Sequence, residues 1–477
     1  MSRSEHELEL SPETMRRMIE AAAERVVDHL SSLPGQPAIN VEGGAELSRE
    51  LAEEPPEGAT PYDELLDLLF ERLIPRTYNT AGPGYLAYIP GGGLYHAAVA
   101  DYIADAVNRY VGVWLPSPGL VQLEVNVVRW FCRMVGYPEE ALGFLTTGGS
   151  LANWTALVTA RRERLPEAFL EGTIYVGDQI HHSVVKAAVL AGFPAGNVRA
   201  VPSDELFRVR LGPLAEAIRR DRGAGKTPFL VVGSAGTTNT GAVDDLEALA
   251  DLAAEEDLWF HVDAAYGGFF VLTERGRHRL RGLERADSLV LDPHKGMFLP
   301  YGTGCLLVRD GAALHRTHHI QADYMPRLQA DSDLVDFCEI SPELSRDWRG
   351  LRVWLPLKMH GLGAFRAALD EKLDLTEWAC SELEKLDDIE IIARPQLSTV
   401  AFRLAPAGLD LETTDRLNRD FLERINAGRR VFLTATTLDG RFVLRICVLS
   451  FRTHQERMEQ GLEDIRSARK DALAALP

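Results

Sequence analysis

Lys295 sits in the stretch Asp292-Pro293-His294-Lys295-Gly296, between two apolar runs at 289–291 and 305–308. Lysine is ordinarily a surface residue. At a turn between two core strands its charged form is disfavoured. Its pKa is then expected to fall and its amine to become a nucleophile. The same turn could equally let the side chain snorkel into water. Residues 261–268 read His-Val-Asp-Ala-Ala-Tyr-Gly-Gly. An aspartate ending an apolar strand is costly unless paired. A protonated ring nitrogen would pair Asp263 and make the ring an electron sink, with Ala264-Ala265 leaving flat room for it. Backbone amides could also satisfy the carboxylate.

Three further stretches have chemical potential. Thr146-Thr147-Gly148-Gly149-Ser150 joins a strand to a helix. Its glycines allow close backbone approach and its free amides face outward, an arrangement that holds phosphate. A plain capped helix start has the same pattern. A serine-hydrolase elbow is a poorer match, since its last glycine is missing and no acid-then-histidine order follows. His181, in Asp178-Gln179-Ile180-His181-His182-Ser183, offers a planar surface for an aromatic ligand, or simply a capping loop. Adjacent histidines usually point apart, so no two-histidine metal site is expected there, nor any metal elsewhere. Gly236-Thr237-Thr238 could bind a ligand oxygen or form an ordinary turn.

These stretches each follow an apolar run. Strands are expected at 143–146, 173–176, 198–201, 229–233, 258–262, 289–291 and 305–308. Helices are expected at 151–164, 183–191, 211–220 and 246–255. Such alternation predicts an α/β fold with a mostly parallel sheet, in which ligands bind at the carboxyl ends of the strands. Ahead of it lie a helix begun by Ser11-Pro12-Glu13, a short helix at 45–53, an amphipathic helix at 62–73 and another at 117–135. Residues 84–113 are rich in aromatics and glycine. After Gly350 a helical stretch at 351–386 leads to antiparallel strands at 389–393, 398–404, 431–434 and 441–448 and a closing helix at 454–472. The expected organisation is an N-terminal helical segment (1–80), a large domain (81–355) and a small α+β domain (356–477).

The whole chain narrows the partners. A formal net charge of −19 over 477 residues argues against nucleic acid and anionic membranes, both of which need a basic face. Five dispersed cysteines without a Cys-x-x-Cys pair fit a reducing compartment. With no apolar signal core and no run of the ~20 apolar residues that span a membrane, the expected location is cytoplasmic.

A phosphate cradle, a stacking histidine, an aspartate for a ring nitrogen and a lysine together point to pyridoxal phosphate bound to Lys295 as a Schiff base. Through Asp-Pro-His-Lys, His-Val-Asp-Ala-Ala-Tyr and the stretch 341–354, the chain resembles the group II pyridoxal-phosphate-dependent amino acid decarboxylases. The resemblance implies the aminotransferase-like fold type I. It also implies a homodimer with its active site at the interface and the N-terminal segment packed on the partner subunit. It makes Lys295 the Schiff-base lysine, Asp263 the ring-nitrogen partner, and His181 and Ala265 the two faces around the ring. Gly149, Ser150, Asp292 and His294 lie around the phosphate, and Thr237 near the ring or the substrate carboxylate. Tyr88, Ile89, Pro90 and Tyr110 match side-chain pocket positions, with Trp114 close by, and Arg349 matches an active-site-region arginine.

Two departures bear on the product. Gly296 replaces a bulky tryptophan of many members, which is expected to enlarge or loosen the turn. In the catalytic loop, aligning Val335-Asp336-Phe337 places Phe337 at a proton-donating tyrosine, a substitution that accompanies aldehyde synthases among plant relatives. Tyr324 is an alternative donor. The expected activity is decarboxylation of an aromatic L-amino acid to its amine. The alternatives are oxidative deamination to an aldehyde or, if Arg109 points inward, decarboxylation of an acidic amino acid such as glutamate or a sulfinate. An aminotransferase or another lyase on the same fold would use the same lysine and aspartate.

Overall fold

The structure is a computed structural model that describes residues 8–319 and 333–476. The apolar runs form a seven-stranded sheet of β1 (Leu142–Thr146), β2 (Gly172–Gly177), β3 (Val198–Val201), β4 (Thr227–Ser234), β5 (Trp259–Asp263), β6 (Ser288–Leu291) and β7 (Gly304–Val308). Their order is β1-β7-β6-β5-β4-β2-β3. β7 is antiparallel to both β1 and β6, and the other six strands share one direction.

Every residue of β5, β6 and β7 is buried, as expected of strands covered on both faces. The period of two sorts their side chains into two cores. Leu145, Tyr175, Val231, Phe260, Leu289 and Leu307 join one with Phe131 and Leu249 of flanking helices. Phe144, Ile174, Leu230, Val290 and Leu306 join the other with Ala152, Ala156 and Ala160 of the Gly149–Arg164 helix. Small residues on that helix let its backbone lie close to the sheet, which brings its first turn to the strand ends.

A second sheet, ordered β10-β11-β9-β8, is wholly antiparallel. It contains β8 (Ile389–Ala393), β9 (Thr399–Leu404), β10 (Thr434–Leu438) and β11 (Arg441–Cys447). Val400, Phe402 and Leu444 pack there against Phe421 and Ile465 of the Leu411–Ala427 and Gln455–Ala474 helices. The long Arg349–Leu383 helix connects the two sheets and is broken at Gly361, whose φ of +67° is left-handed.

Some expectations are corrected. The strand expected at 431–434 begins only at Thr434. Phe432 instead accepts a hydrogen bond from the Leu86 amide and donates its own to the Gly84 carbonyl, as an isolated bridge. The glycine- and aromatic-rich stretch contains a helix, Tyr95–Val107, that its composition concealed. The helix expected over 62–73 is α-helical only at Tyr62–Asp67 and continues as a π-helical stretch, Leu68–Leu73.

At the N-terminus, Ser11 caps the Pro12–Ser32 helix by accepting the Thr14 amide at 3.2 Å. No residue of this helix is buried, and Met15, Ile19 and Val27 are exposed. The chain after it packs on its own small sheet domain, where the Ala38 amide meets the Arg429 carbonyl at 2.7 Å. No helix of the described residues is long and apolar enough to cross a membrane.

Candidate active site

The carboxyl ends of β1, β2, β4, β5 and β6 open onto one cavity of about 280 Å³. Its lining includes Gly149, Ser150, His181, Thr237, Asp263, Ala265, Asp292, His294 and Lys295, all expected from the sequence. The Gly149–Arg164 helix starts here with no side-chain cap, so its first amides remain available to a ligand. A Cβ at Gly149 would come within 3.1 Å of Asp292 Oδ2 and 3.3 Å of Ala265 Cβ, so only glycine keeps this approach open.

Lys295 follows β6 in the single helical turn Pro293–Gly296. Its Nζ lies 3.0 Å from Asp292 Oδ2. Burial, the largest single influence, pushes the lysine pKa down. The charges of Asp292 and Asp263 and the hydrogen bond to Asp292 together outweigh it, and the net direction is up. The expected fall does not occur in this state, because the turn that buries the amine also supplies it with a carboxylate. Asp292 Oδ1 is buried without a hydrogen-bond partner among the described residues. His294 donates Nδ1–H to the Thr303 carbonyl at 2.6 Å, which turns Nε2 towards Asp292. Burial lowers the His294 pKa against the opposing pull of Asp292.

A directed hydrogen-bond chain lies behind the cavity. Trp259 Nε1–H donates to Ser288 Oγ at 2.8 Å, and the Ser288 hydroxyl donates to His261 Nδ1 at 2.8 Å, since the neutral ring must keep its proton on Nε2 to face the Asn153 carbonyl oxygen. His261 Nε2–H then donates to Asn153 Oδ1 at 2.9 Å. The Asn153 amide donates to Asp263 Oδ2 at 3.1 Å and Ser183 Oγ at 3.0 Å. The Ser183 hydroxyl donates a hydrogen bond to His181 Nδ1 at 2.7 Å, which leaves the ring proton on Nε2. Burial lowers the pKa of both histidines, although Asp263 opposes it, so both are held neutral. Asp263 Oδ1 accepts the Ala265 amide at 3.2 Å, and each carboxylate oxygen keeps a lone pair for a ligand. Asn153 was missed from the sequence. Its signal was a polar residue among Ala152, Ala156 and Ala160 on a helix face otherwise made for burial.

Other expected residues fall elsewhere. Tyr88, Ile89, Pro90 and Tyr110 do not line the cavity within this chain. Ile89 is a core residue, while Tyr88 is half exposed with a left-handed φ of 51°. Tyr88 nevertheless stands near the cavity. Its carbonyl accepts from Arg445, whose guanidinium also donates to the carbonyl of cavity-lining Thr238. Arg349 does not line the cavity within this chain. It is buried and ion-paired with Glu343 and Asp347 at 2.7 Å each, and it donates to the Leu145 carbonyl behind the cradle.

Phe337 lies away from the cavity within this chain. It lies in the core, 1% exposed, beneath the Arg346 guanidinium at 4.4 Å from the ring centroid. Tyr324 lies outside the described residues. Gly296 does not loosen its turn, because a Cβ there would come within 2.8 Å of Phe269 Cβ; Phe269 already fills the space. Nor does His182 point away from His181, for their ring centroids are 4.2 Å apart.

A glycine cradle with free amides, a carboxylate with a spare lone pair, a flat alanine face and a buried lysine fit pyridoxal phosphate. The class defined is a pyridoxal-phosphate enzyme with its cofactor at the carboxyl ends of an α/β sheet. The comparisons narrow this class. Residues 45–405 match the pyridoxal-dependent decarboxylase conserved domain, and the chain belongs to that family of amino acid decarboxylases.

It is 35% identical over 472 residues to an aromatic-L-amino-acid decarboxylase of Bacillus atrophaeus, covering 98% of both chains. To tryptophan decarboxylase 2 of Oryza sativa subsp. japonica it is 28% identical, covering 96% of this chain and 95% of that one. The crystal structure of Oryza sativa TDC with PLP and tryptamine superposes with a TM-score of 0.92 at 27% identity. That match covers 97% of this chain and 99% of the other.

Proposed function

We propose that this enzyme decarboxylates an aromatic L-amino acid to its amine, and that two copies together complete the site. The observation that carries the substrate class is the 35% identity to an aromatic-L-amino-acid decarboxylase over 98% of both chains, and this chain's share of the cavity lining contains no arginine among the described residues. A substrate side-chain carboxylate or sulfinate would lack a guanidinium there. Arg349 is consumed by Glu343 and Asp347, and Arg109 is exposed. Tyr88 and Tyr110, 50% and 37% exposed, offer aromatic surface instead. The names of the Bacillus and Oryza relatives support the same class. The decarboxylase names of those relatives support the amine as product.

When bound, pyridoxal phosphate supplies the electron sink for the bond broken at the substrate α-carbon. The chain's residues do the rest. Gly149, Ser150 and His294 hold the phosphate. Asp263, fixed by Asn153, keeps a ring nitrogen protonated. His181 and Ala265 flank the ring, and Thr237 lies at its edge. Lys295 provides the amine that carries the cofactor between turnovers, and Asp292 takes or returns its proton at Nζ. Thr238 and Tyr88, held to one guanidinium, shape the mouth. Orientation and preorganised charge are the main contributions of such a site.

The second copy is supported by apolar side chains left in solvent: Met15, Ile19 and Val27 on the first helix, and Tyr102, Ile103 and Val107 on the Tyr95–Val107 helix. An assay of carbon dioxide and amine release across tryptophan, phenylalanine, tyrosine, glutamate and cysteine sulfinate tests the proposal. Aromatic substrates are expected to lead by at least tenfold in kcat/KM. Preference for an acidic substrate, or peroxide and ammonia released in step with carbon dioxide, would overturn it.

A further inference from the structure

We propose that His315, His319 and Glu339 form a divalent-cation site of the zinc class, apart from the Lys295 cavity, clasping the Ala312–His318 helix to the Phe337–Ile340 turn. His315 lies in that helix and His319 caps its end, four residues on, so both rings project from one face. The rings stack with centroids 4.6 Å apart at an interplanar angle of 15°. Glu339 comes from the second element, its side chain 11% exposed.

The three ligand atoms lie within 4.8 Å of one another. His315 Nε2 is 3.2 Å from Glu339 Oε2, and His319 Nδ1 contacts the same oxygen. Tetrahedral zinc, with bonds of 2.0–2.1 Å, sets neighbouring ligand atoms about 3.3 Å apart. The His315–Glu339 separation already matches that spacing, and small side-chain rotations would set the third donor around a common ion. Two imidazoles and a carboxylate are a ligand type that zinc and its neighbours in the first row favour. The histidine side chains are 54% and 39% exposed, which leaves an entry path and a place for water as fourth ligand. A plain hydrogen-bonded triad is the competing account. Zinc titration separates the two accounts.

The placement gives such an ion structural leverage. Arg316, between the two histidines, forms a bidentate pair with Glu163 of the Gly149–Arg164 helix at 3.0 and 2.7 Å. That helix begins at the phosphate cradle. On the other side, Asp336 Oδ1 accepts the Trp114 amide at 2.6 Å, and the Cys338 amide donates to the Gly112 carbonyl at 3.0 Å. A cation would thus join the stretch carrying Trp114 to the helix that leans on the cradle.

The test is calorimetric titration of the chelator-treated, cofactor-loaded enzyme with zinc chloride, comparing the natural protein with His315→Ala/His319→Ala, Glu339→Gln and the exposed-histidine control His454→Ala. One zinc per chain is expected in the natural protein and the control. In the double variant and Glu339→Gln that event should weaken at least tenfold, with the cofactor's absorbance unchanged. Background binding by thiols or by the cofactor phosphate is common to all four, so the difference carries the result. Equal titrations in all four proteins, or no stoichiometric zinc in the natural one, would overturn the site.

Discussion

Lys295 is pulled two ways, by burial towards the neutral amine and by Asp292 and Asp263 towards the ammonium ion. A nucleophile must shed its proton, so Asp292 sets how alkaline the medium must be before free Lys295 takes up cofactor. Removing that opposite charge should lower the lysine pKa by roughly 1–3 units. In Asp292→Asn, the acid limb of cofactor uptake by the stripped protein, followed by absorbance, should move to lower pH; an unmoved limb would count against the role. Asn153 is the other decisive residue, since it alone donates to both Asp263 and Ser183. A hydrogen bond to a charged group contributes about 1.5–3 kcal/mol. Asn153→Ala should therefore bind cofactor roughly 10- to 100-fold more weakly. Unchanged cofactor affinity and kcat in that variant would show that Asp263 and His181 hold their geometry unaided.

Among the elements, the turn at Lys295 is held by reciprocal volumes: Phe269 occupies the room that a side chain at Gly296 would need. Gly296→Ala should destabilise the fold by about 1–3 kcal/mol, the usual cost of overpacking. Chemical denaturation should show this loss, and in a Phe269→Ala background, where the room is open, the cost of Gly296→Ala should largely vanish. The large sheet was legible in the sequence because its strands, buried on both faces, are short continuous apolar runs. The cavity residues were legible because each follows such a run. Legibility failed where a residue's partner is remote in the chain. Phe432 looked like strand but is drawn to residues 84–86. Arg349 matched an active-site-region arginine, and there the hidden partners are local: its carboxylates come from residues 343 and 347, in a loop no pattern could fold. Phe337 matched a motif by spacing, and spacing could not show that its ring is buried beneath Arg346 in this chain. His315, His319 and Glu339 escaped notice because 20 residues separate the last two.

For the molecule as a whole, acid stability follows from buried histidines. Burial lowers His261 and, with help from Arg162, brings His318 to about 4, against 6.5 in the unfolded chain. Between those values the unfolded state binds protons that the native state refuses, so stability is full above pH 6.5 and falls as the pH drops. Each histidine contributes at most about 1.4 kcal/mol per pH unit in that window. Thermal melts should shift downward from pH 7 to pH 5, and His318→Gln should flatten the slope; a slope unaffected by that change would remove His318 from the account. Arg445, 3% exposed, has a consequence of a different kind. Its guanidinium gathers oxygens from Tyr88, Thr238, Asn239 and Thr434, three stretches far apart in the chain. Arg445 follows Lys295 by 150 residues. A nascent chain can therefore carry its lysine, cradle and aspartate well before it owns the clamp that aligns the mouth. The catalytic pocket is born unfinished and is closed only when the last sheet has been synthesised.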